Sequence, residues 1–337
     1  MTGLKDKFRR TIDYMRISIT DRCNLRCVYC MPSQGVVPLE HREILSYEEV
    51  TRVVRVASGI GVRKIRLTGG EPLVRKNIAD LIRSIRNIPA IDDLSLTTNG
   101  IFLERHAEEL ADAGLGRVNI SLDSLRPEKY REITRGGEIG SVLRGIKAAE
   151  KAGLSPVKIN MVPVRGFNED EVKDFAQMTL DTPYQVRFIE FMPFSAQNEW
   201  NPGRFISTDE MMAMVEELGV LSPVRLRKSG PAIYYRLDGA TGVVGFISPI
   251  SNHFCGECNR LRLTADGKLR PCLFSETEID LKPALRAKAD DSEIERLLKL
   301  SIEVKPEGHN IRNHNKTYSS VITAKNEYKR PMSGIGG

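Results

Sequence analysis

Six short apolar segments recur through the first two thirds of the chain, and a stretch with helical periodicity follows each one. Parallel neighbours need crossover connections, and near-continuous apolar strands are typical of a sheet covered on both faces. The alternation therefore predicts a parallel α/β sheet, either a doubly wound open sheet or a partial β/α barrel. Because they are rich in Ile, Val or Leu and bounded by turn residues, the predicted strands are Met15–Thr20, Lys64–Thr68, Asp93–Thr98, Arg117–Leu122, Val157–Pro163 and Gln185–Met192.

The rhythm changes after about Leu221. Ile233–Leu237 and Gly242–Ile247 are predicted antiparallel strands, and a cysteine-bearing loop, a polar helical stretch and a basic tail follow. At roughly 100–200 residues per domain, 337 residues favour two domains. We therefore expect a first domain over residues 1–220 and a smaller second domain over 221–337.

Two helix starts carry a capping box, a hydroxyl residue followed three positions later by Glu. The first pairs Ser46 with Glu49 and the second pairs Ser207 with Glu210. Each box predicts that a helix begins just after its serine.

Composition limits the class of protein. With 41% hydrophobic and 28% charged residues the chain is ordinary and globular, which excludes a disordered protein. The net charge of +6 suits an anionic small ligand and is too small to indicate nucleic acid by itself. No apolar run approaches the roughly 20 residues of a membrane span, and the basic N-terminus lacks a signal peptide's apolar stretch. We therefore expect a cytoplasmic protein that binds neither membrane nor nucleic acid.

The six cysteines form two trios. Cys23-x3-Cys27-x2-Cys30 follows the first predicted strand, and Cys255-x2-Cys258-x13-Cys272 lies in the second predicted domain. In a reducing compartment such thiolates indicate zinc or iron–sulfur ligation before disulfides. A structural zinc needs four protein ligands, whereas three thiolates leave one iron of a 4Fe–4S cluster open to a cofactor or substrate. Zinc with His253 as fourth ligand remains the alternative at the second trio.

The first trio, with Tyr29 between its last two cysteines, resembles that of the radical S-adenosylmethionine (SAM) enzymes. The run Gly69-Gly70-Glu71-Pro72 is similar to their SAM-binding turn. A narrower resemblance, to the GTP 3′,8-cyclases of molybdenum cofactor biosynthesis, covers nearly the whole chain. It rests on MRISITDRCNLRCVYCMP, IRLTGGEPLVR, LTTNG, VNISLDS, VKINMVPVRGFNEDE, RFIEFMPF, FCGECNRLRLTADGKLRPCLFS and the terminal Gly-Gly. Arg9 departs from it, since the resemblance leads us to expect Gly there.

The resemblance implies a partial six-stranded β/α barrel with a smaller C-terminal domain that carries a second 4Fe–4S cluster. It implies that Cys23, Cys27 and Cys30 hold the first cluster, to which SAM binds. A 5′-deoxyadenosyl radical from SAM would then remove hydrogen from the 3′ carbon of GTP, whose ribose would close onto carbon 8 of guanine. The implied SAM contacts are Tyr29, Gly70, Ser121 and Met192.

Cys255, Cys258 and Cys272 would hold the second cluster, which binds the substrate in this family. Arg260 and Arg262 stand at alternate positions, so a strand would present both guanidinium groups on one face for phosphate. No GxxxxGK[ST] loop is present, so a triphosphate site would need scattered basic residues. The resemblance implies GTP contacts by Arg16, Arg66, Thr97, Lys158, Arg260, Leu261 (through its backbone) and Arg262. It also assigns a catalytic role to Gly336 and Gly337.

Implied partners are GTP, an external one-electron reductant and, for the product, cyclic pyranopterin monophosphate synthase; a homodimer stays open. Two other interpretations remain. Another radical SAM enzyme with an auxiliary cluster, such as a peptide maturase, usually carries more cysteines in its second domain. A zinc-stabilised nucleic-acid-binding protein would show basic residues interleaved with aromatics, whereas aromatic residues are only 6% of this chain.

Overall fold

The computed structural model describes residues 4–193, 201–226, 230–309, 330 and 332–335. Among these, twelve strands form one sheet in the order β12-β11-β10-β1-β2-β3-β4-β5-β6-β9-β8-β7. The strands are β1 Tyr14–Ser18, β2 Lys64–Thr68, β3 Asp93–Thr98, β4 Arg117–Ser121, β5 Lys158–Met161, β6 Gln185–Ile189, β7 Leu221–Val224, β8 Ile233–Leu237, β9 Val243–Ile247, β10 Arg260–Leu263, β11 Lys268–Arg270 and β12 Ile279–Asp280.

Strands β1 to β6 pair in sequence order, and every pair is parallel. This confirms the predicted parallel α/β sheet, and each of the six predicted strands overlaps an observed one. The predicted strands ending at Thr20, Pro163 and Met192 run two or three residues too far. The apolar pattern continues past the sheet because Val162 and Phe191 pack in a second small core at the strand ends.

The helices are α1 Tyr47–Gly59, α2 Ile78–Arg86, α3 Leu103–Asp112, α4 Pro127–Thr134, α5 Ile139–Lys151, α6 Val172–Asp181, α7 Thr208–Glu216, α8 Lys282–Arg286, α9 Asp291–Glu303 and α10 Met332–Ile335. Both predicted capping boxes are formed, at the starts of α1 and α7. In α1 the serine accepts the Glu49 amide at 3.2 Å, and the Glu49 carboxylate accepts the Ser46 amide at 2.7 Å. The described residues include no helix that is long and apolar enough to span a bilayer.

The C-terminal third extends the sheet at both of its edges. Strand β9 pairs in parallel with β6, and β8 and β7 continue antiparallel from it. At the opposite edge β10 pairs in parallel with β1, followed by antiparallel β11 and β12. One continuous sheet thus crosses the predicted domain boundary near residue 220, and this boundary stays a prediction.

Strand register lines up charged side chains on one face of the sheet. Arg16 pairs with Arg262 on one side and with Arg66 on the other. Residues paired across parallel strands project to the same face. Because Arg16, Arg66 and Arg262 all line one cavity, this face curves around it as the inside of a partial barrel.

Candidate functional site

A cavity of about 360 Å³ lies within the curved sheet and is lined by both cysteine trios. The lining of this cavity includes every described residue that was predicted for the site except Leu261. The side chain of Leu261 is buried away from the cavity. Gly336 and Gly337 lie outside the described residues. The predicted residues on its wall are Arg16, Cys23, Cys27, Tyr29, Cys30, Arg66, Gly70, Thr97, Ser121, Lys158, Met192, Cys255, Cys258, Arg260, Arg262 and Cys272.

The loop that carries the first trio is held by the glycine turn after β2. The Gly70 amide donates to the Thr20 carbonyl at 2.8 Å, and the Glu71 amide donates to the Arg22 carbonyl at 2.8 Å. A Cβ on Gly70 would lie 2.4 Å from the Arg22 carbonyl oxygen. Glycine at this position therefore lets the turn approach the backbone of the loop that carries the first trio. The sequence pattern did not identify this neighbour.

Two buried carboxylates, which sequence reasoning missed, tie the strand ends together. Glu71 accepts the Leu73 amide at 3.0 Å, the Thr98 hydroxyl at 2.8 Å and the Asn99 amide at 2.6 Å. Burial raises the pKa of Glu71 to about 7, although these hydrogen bonds lower it. Both carboxylate oxygens of Glu71 are thus engaged by the protein.

Glu190 plays the same part across the cavity. It accepts the Thr208, Ile250 and Ser251 amides at 3.0, 2.8 and 2.9 Å. It thereby joins the end of β6 to the start of α7 and to the loop after β9. A carboxylate so deeply buried is tolerated only with such a full set of donors.

Around the first trio, Cys23 Sγ accepts hydrogen bonds from the Leu25 amide at 3.4 Å and from Asn99 Nδ2 at 3.9 Å. Burial raises the pKa of Cys23 to about 11 and that of Cys27 well above its ordinary value. Nearby, the Tyr29 hydroxyl donates to Asp123, a residue that was not predicted, and Asp123 also accepts the Val162 amide at 2.8 Å. Burial raises the pKa of Asp123 to about 6.

The β10–β11 hairpin brings together the last two cysteines of the second trio. Arg262 pairs with Arg270 across the two antiparallel strands. Continuing this register places Cys272 opposite Arg260, and Arg260 is the second residue after Cys258. Burial raises the pKa of Cys258, but the charges of Arg260 and Lys305 outweigh it and leave that pKa at about 6. A thiol in this setting is prepared to ligate as a thiolate.

The cavity carries an excess of cations on its wall. Besides the predicted Arg16, Arg66, Lys158, Arg260 and Arg262, it is lined by Arg117 and Arg187, which sequence reasoning missed. Each lies on a predicted strand at an inward position, as Arg16 and Arg66 do, but the family resemblance that assigned Arg16 and Arg66 did not include them. Burial and neighbouring guanidinium groups lower the pKa of Lys158 to about 6. A polyanionic ligand would relieve this mutual repulsion.

The lining also offers polar atoms that the protein leaves unused. Thr97 Oγ1 and Asn160 Oδ1 are buried and have no hydrogen-bond partner within the described part of the chain. Buried polar atoms are normally satisfied. These two fit a polar ligand held between the trios.

The donor set at each end of the cavity is three cysteine thiols, none of which is in a disulfide. Three thiolates with an open fourth position fit a 4Fe–4S cluster. Within the described ranges, no three His, Cys, Asp or Glu side chains converge on a single-ion site. The His253 ring, the alternative zinc ligand, instead packs edge-on against His309 with ring centroids 5.4 Å apart.

Comparison with known proteins agrees with this geometry. Residues 17–179 match the Radical SAM superfamily, and residues 184–311 match the family described as Molybdenum Cofactor Synthesis C. The GTP 3′,8-cyclase of Alkaliphilus oremlandii is 50% identical over 334 residues, which is 99% of this chain and 100% of the relative. That of Thermodesulfovibrio yellowstonii is 51% identical over 336 residues, with the same coverage of both chains.

A solved structure shares the fold at low identity. Streptococcus suis SuiB bound to precursor peptide SuiA matches with a TM-score of 0.62 and 15% identity. The match covers 85% of this chain and 66% of SuiB, just under two thirds of that longer chain. The relatives at about 50% identity, by contrast, match end to end and carry one name. The chain therefore belongs to the GTP 3′,8-cyclase family of radical SAM proteins.

Proposed function

We propose that this chain converts GTP to (8S)-3′,8-cyclo-7,8-dihydroguanosine 5′-triphosphate, the first step of molybdenum cofactor biosynthesis. One observation carries the proposal: two thiol trios share one cavity with a set of arginines and a lysine. This arrangement suits a radical source at one trio and a nucleotide held between the two.

Cys23, Cys27 and Cys30 would hold the cluster that binds SAM, and Cys255, Cys258 and Cys272 the cluster that binds substrate. When bound and reduced, the first cluster together with SAM would supply the radical chemistry for hydrogen abstraction at the ribose 3′ carbon. Tyr29, Gly70, Ser121 and Met192 would orient SAM beside the first trio. All four line the same cavity.

The cationic side chains of the wall would bind the triphosphate. Arg16, Arg66, Lys158, Arg260 and Arg262 serve this role in our proposal, and the cavity geometry adds Arg187. Thr97 Oγ1 is an unsatisfied buried atom that would contact the nucleotide, and Leu261 would contribute through its backbone. A charge-assisted hydrogen bond is worth about 1.5–3 kcal/mol, so loss of one such arginine should weaken GTP binding about 10- to 100-fold.

We also propose a catalytic contribution from Gly336 and Gly337, as the family resemblance implies. This assignment is supported by Met332, which lies four residues before Gly336 and lines the cavity. An external one-electron reductant would supply the electron that SAM cleavage consumes. The product would pass to cyclic pyranopterin monophosphate synthase, in the cytoplasm.

The deciding test is anaerobic reconstitution with iron and sulfide, followed by dithionite, SAM and GTP. We expect about eight irons per chain, GTP-dependent 5′-deoxyadenosine, and a product isomeric with GTP by mass spectrometry. Cys258→Ser should keep SAM cleavage and lose the product. Full iron in Cys258→Ser, or SAM cleavage by the wild type that is the same with and without GTP, would contradict the proposal.

A further inference from the structure

Lys305, just beyond the end of α9, is a buried cation that the proposed reaction does not use. The residue is only 2% exposed to solvent. Among the described residues, no carboxylate lies within ion-pair distance of its ammonium group; the charged groups that act on it include Cys258, Cys272, Arg10 and Arg260. A buried charge without a counter-charge is costly. An anion close to the ammonium group would offset this cost.

Within the described part of the chain the ammonium group makes three hydrogen bonds, one to a cysteine of the second trio and two to residues close to its cysteines in sequence. It donates to the Pro271 carbonyl at 2.6 Å and to the Arg260 carbonyl at 2.8 Å, and it lies 3.6 Å from Cys258 Sγ. Pro271 directly precedes Cys272, and Arg260 follows Cys258 by two residues. Lys305 thus bridges the two chain segments that carry these cysteines.

The remaining cysteine of the trio is held by a second cation, from the opposite end of the chain. Arg10 Nη1 donates to the Cys255 carbonyl at 2.8 Å and to the Glu307 carbonyl at 2.7 Å. Its Nη2 donates to the Pro306 carbonyl at 2.6 Å, and Asp6 pairs with its Nε at 2.6 Å. Arg10 therefore connects the Cys255 turn to the segment that follows Lys305 and fixes where that lysine stands.

We propose that Lys305, braced by Arg10, is a positioning residue for the second iron–sulfur cluster, whose charge also favours the reduced state of that cluster. This inference rests on the proposal that Cys255, Cys258 and Cys272 are cluster ligands. Three thiolates and a cluster provide the negative charge that the buried ammonium lacks. Hydrogen bonding and charge near the sulfurs are established determinants of cluster potential.

The test compares Lys305→Met, which keeps length and removes charge, with Lys305→Arg, which keeps charge. Lys299→Met is the matched control, because Lys299 is half-exposed on α9 and pairs with Glu295 at 2.7 Å. Iron content and melting temperature are measured on the intact chains. The potential of the second cluster is measured by dithionite titration and electron paramagnetic resonance in chains whose Cys23, Cys27 and Cys30 are alanine.

We expect Lys305→Met either to fall from about eight irons toward about four or to keep the second cluster with a lower potential. The one-electron equilibrium should then move at least tenfold toward the oxidised form, which is 59 mV. Lys305→Arg and Lys299→Met should stay near the wild type.

Two results would overturn the inference. One is the absence of any effect specific to the lost charge: Lys305→Met keeps the wild-type iron content and potential, or Lys305→Arg changes both by the same amount as Lys305→Met. The other is loss of both clusters with a lowered melting temperature, which would make Lys305 a general folding residue. Failure of the ligand assignment itself would appear separately, as unchanged iron in Cys258→Ser.

Discussion

At the scale of single residues, Lys158 shows a conflict between stability and binding. The residue is 6% exposed, and burial together with the charges of Arg187 and Arg117 lowers its pKa to about 6. In the unfolded chain the same lysine has its ordinary pKa of 10.5 and is protonated at pH values below it. Between these two pKa values the unfolded chain binds a proton that the folded chain does not, which lowers the free energy of unfolding. This loss of stability is absent at high pH, grows as the pH falls below 10.5, and is complete near pH 6.

Lys158→Met should accordingly be more stable than the wild type at pH 7, by about 2–4 kcal/mol, and by less at pH 10. The same variant should bind GTP at least tenfold more weakly. Wild-type binding should take up protons, because the triphosphate restores the charged form of the lysine. Urea unfolding at pH 7 and pH 10 measures the change in stability. Isothermal titration calorimetry in buffers of different ionisation enthalpy measures the GTP affinity and the proton uptake. Equal affinity in the variant would remove Lys158 from the binding site.

Arg9 illustrates the same scale without a ligand. It stands where the family resemblance predicted Gly, and its backbone φ is 64°. This is the left-handed region that glycine adopts without a Cβ penalty. The backbone conformation at this position thus explains why the family resemblance led us to expect glycine. Motif spacing in the sequence does not reveal that conformation.

At the scale of elements, the turn at Gly69 and Gly70 links β2 to the loop of the first trio. A Cβ on Gly70 would meet backbone atoms of Asp21 and Arg22 at 2.4 to 2.7 Å, and neither neighbour can rotate away. Gly70→Ala must therefore displace the segment that enters Cys23.

We expect Gly70→Ala to destabilise the protein by about 1–3 kcal/mol and to abolish the change that SAM produces in the first cluster's spectrum. The second cluster should be unaffected. Gly59→Ala in α1 is the control, since a Cβ there meets nothing within 4 Å. A normal SAM response in Gly70→Ala would show that the loop adapts to the turn.

Element-level prediction from the sequence succeeded where the signal is local. The bounds of β2 and β3 match the predicted segments, because turn residues flank short apolar runs at both ends. Both trios were identified by spacing. The parallel pairing of β10 with β1 was not predicted, since it joins residues about 245 positions apart. For the same reason sequence reasoning missed Glu190, Arg10 and Lys305, whose partners are distant in the chain.

At the scale of the whole molecule, the chain's last third completes a sheet that its first part leaves open. Without β9 and β10, strands β6 and β1 would present unpaired edges. Long unpaired edges are templates for association. The predicted division near residue 220 would therefore separate pieces that depend on each other.

This dependence predicts the behaviour of a fragment. Residues 1–220 alone should aggregate or unfold without a cooperative transition, because the edges of β1 and β6 are bare. A chain ending at residue 309 keeps strands β7 to β12 and should remain monomeric or form a defined oligomer with cooperative unfolding. Size-exclusion chromatography and thermal circular dichroism compare the two. A monomeric, cooperatively folded fragment 1–220 would instead show that six parallel strands and their helices suffice, and that the later strands were added to an already stable core.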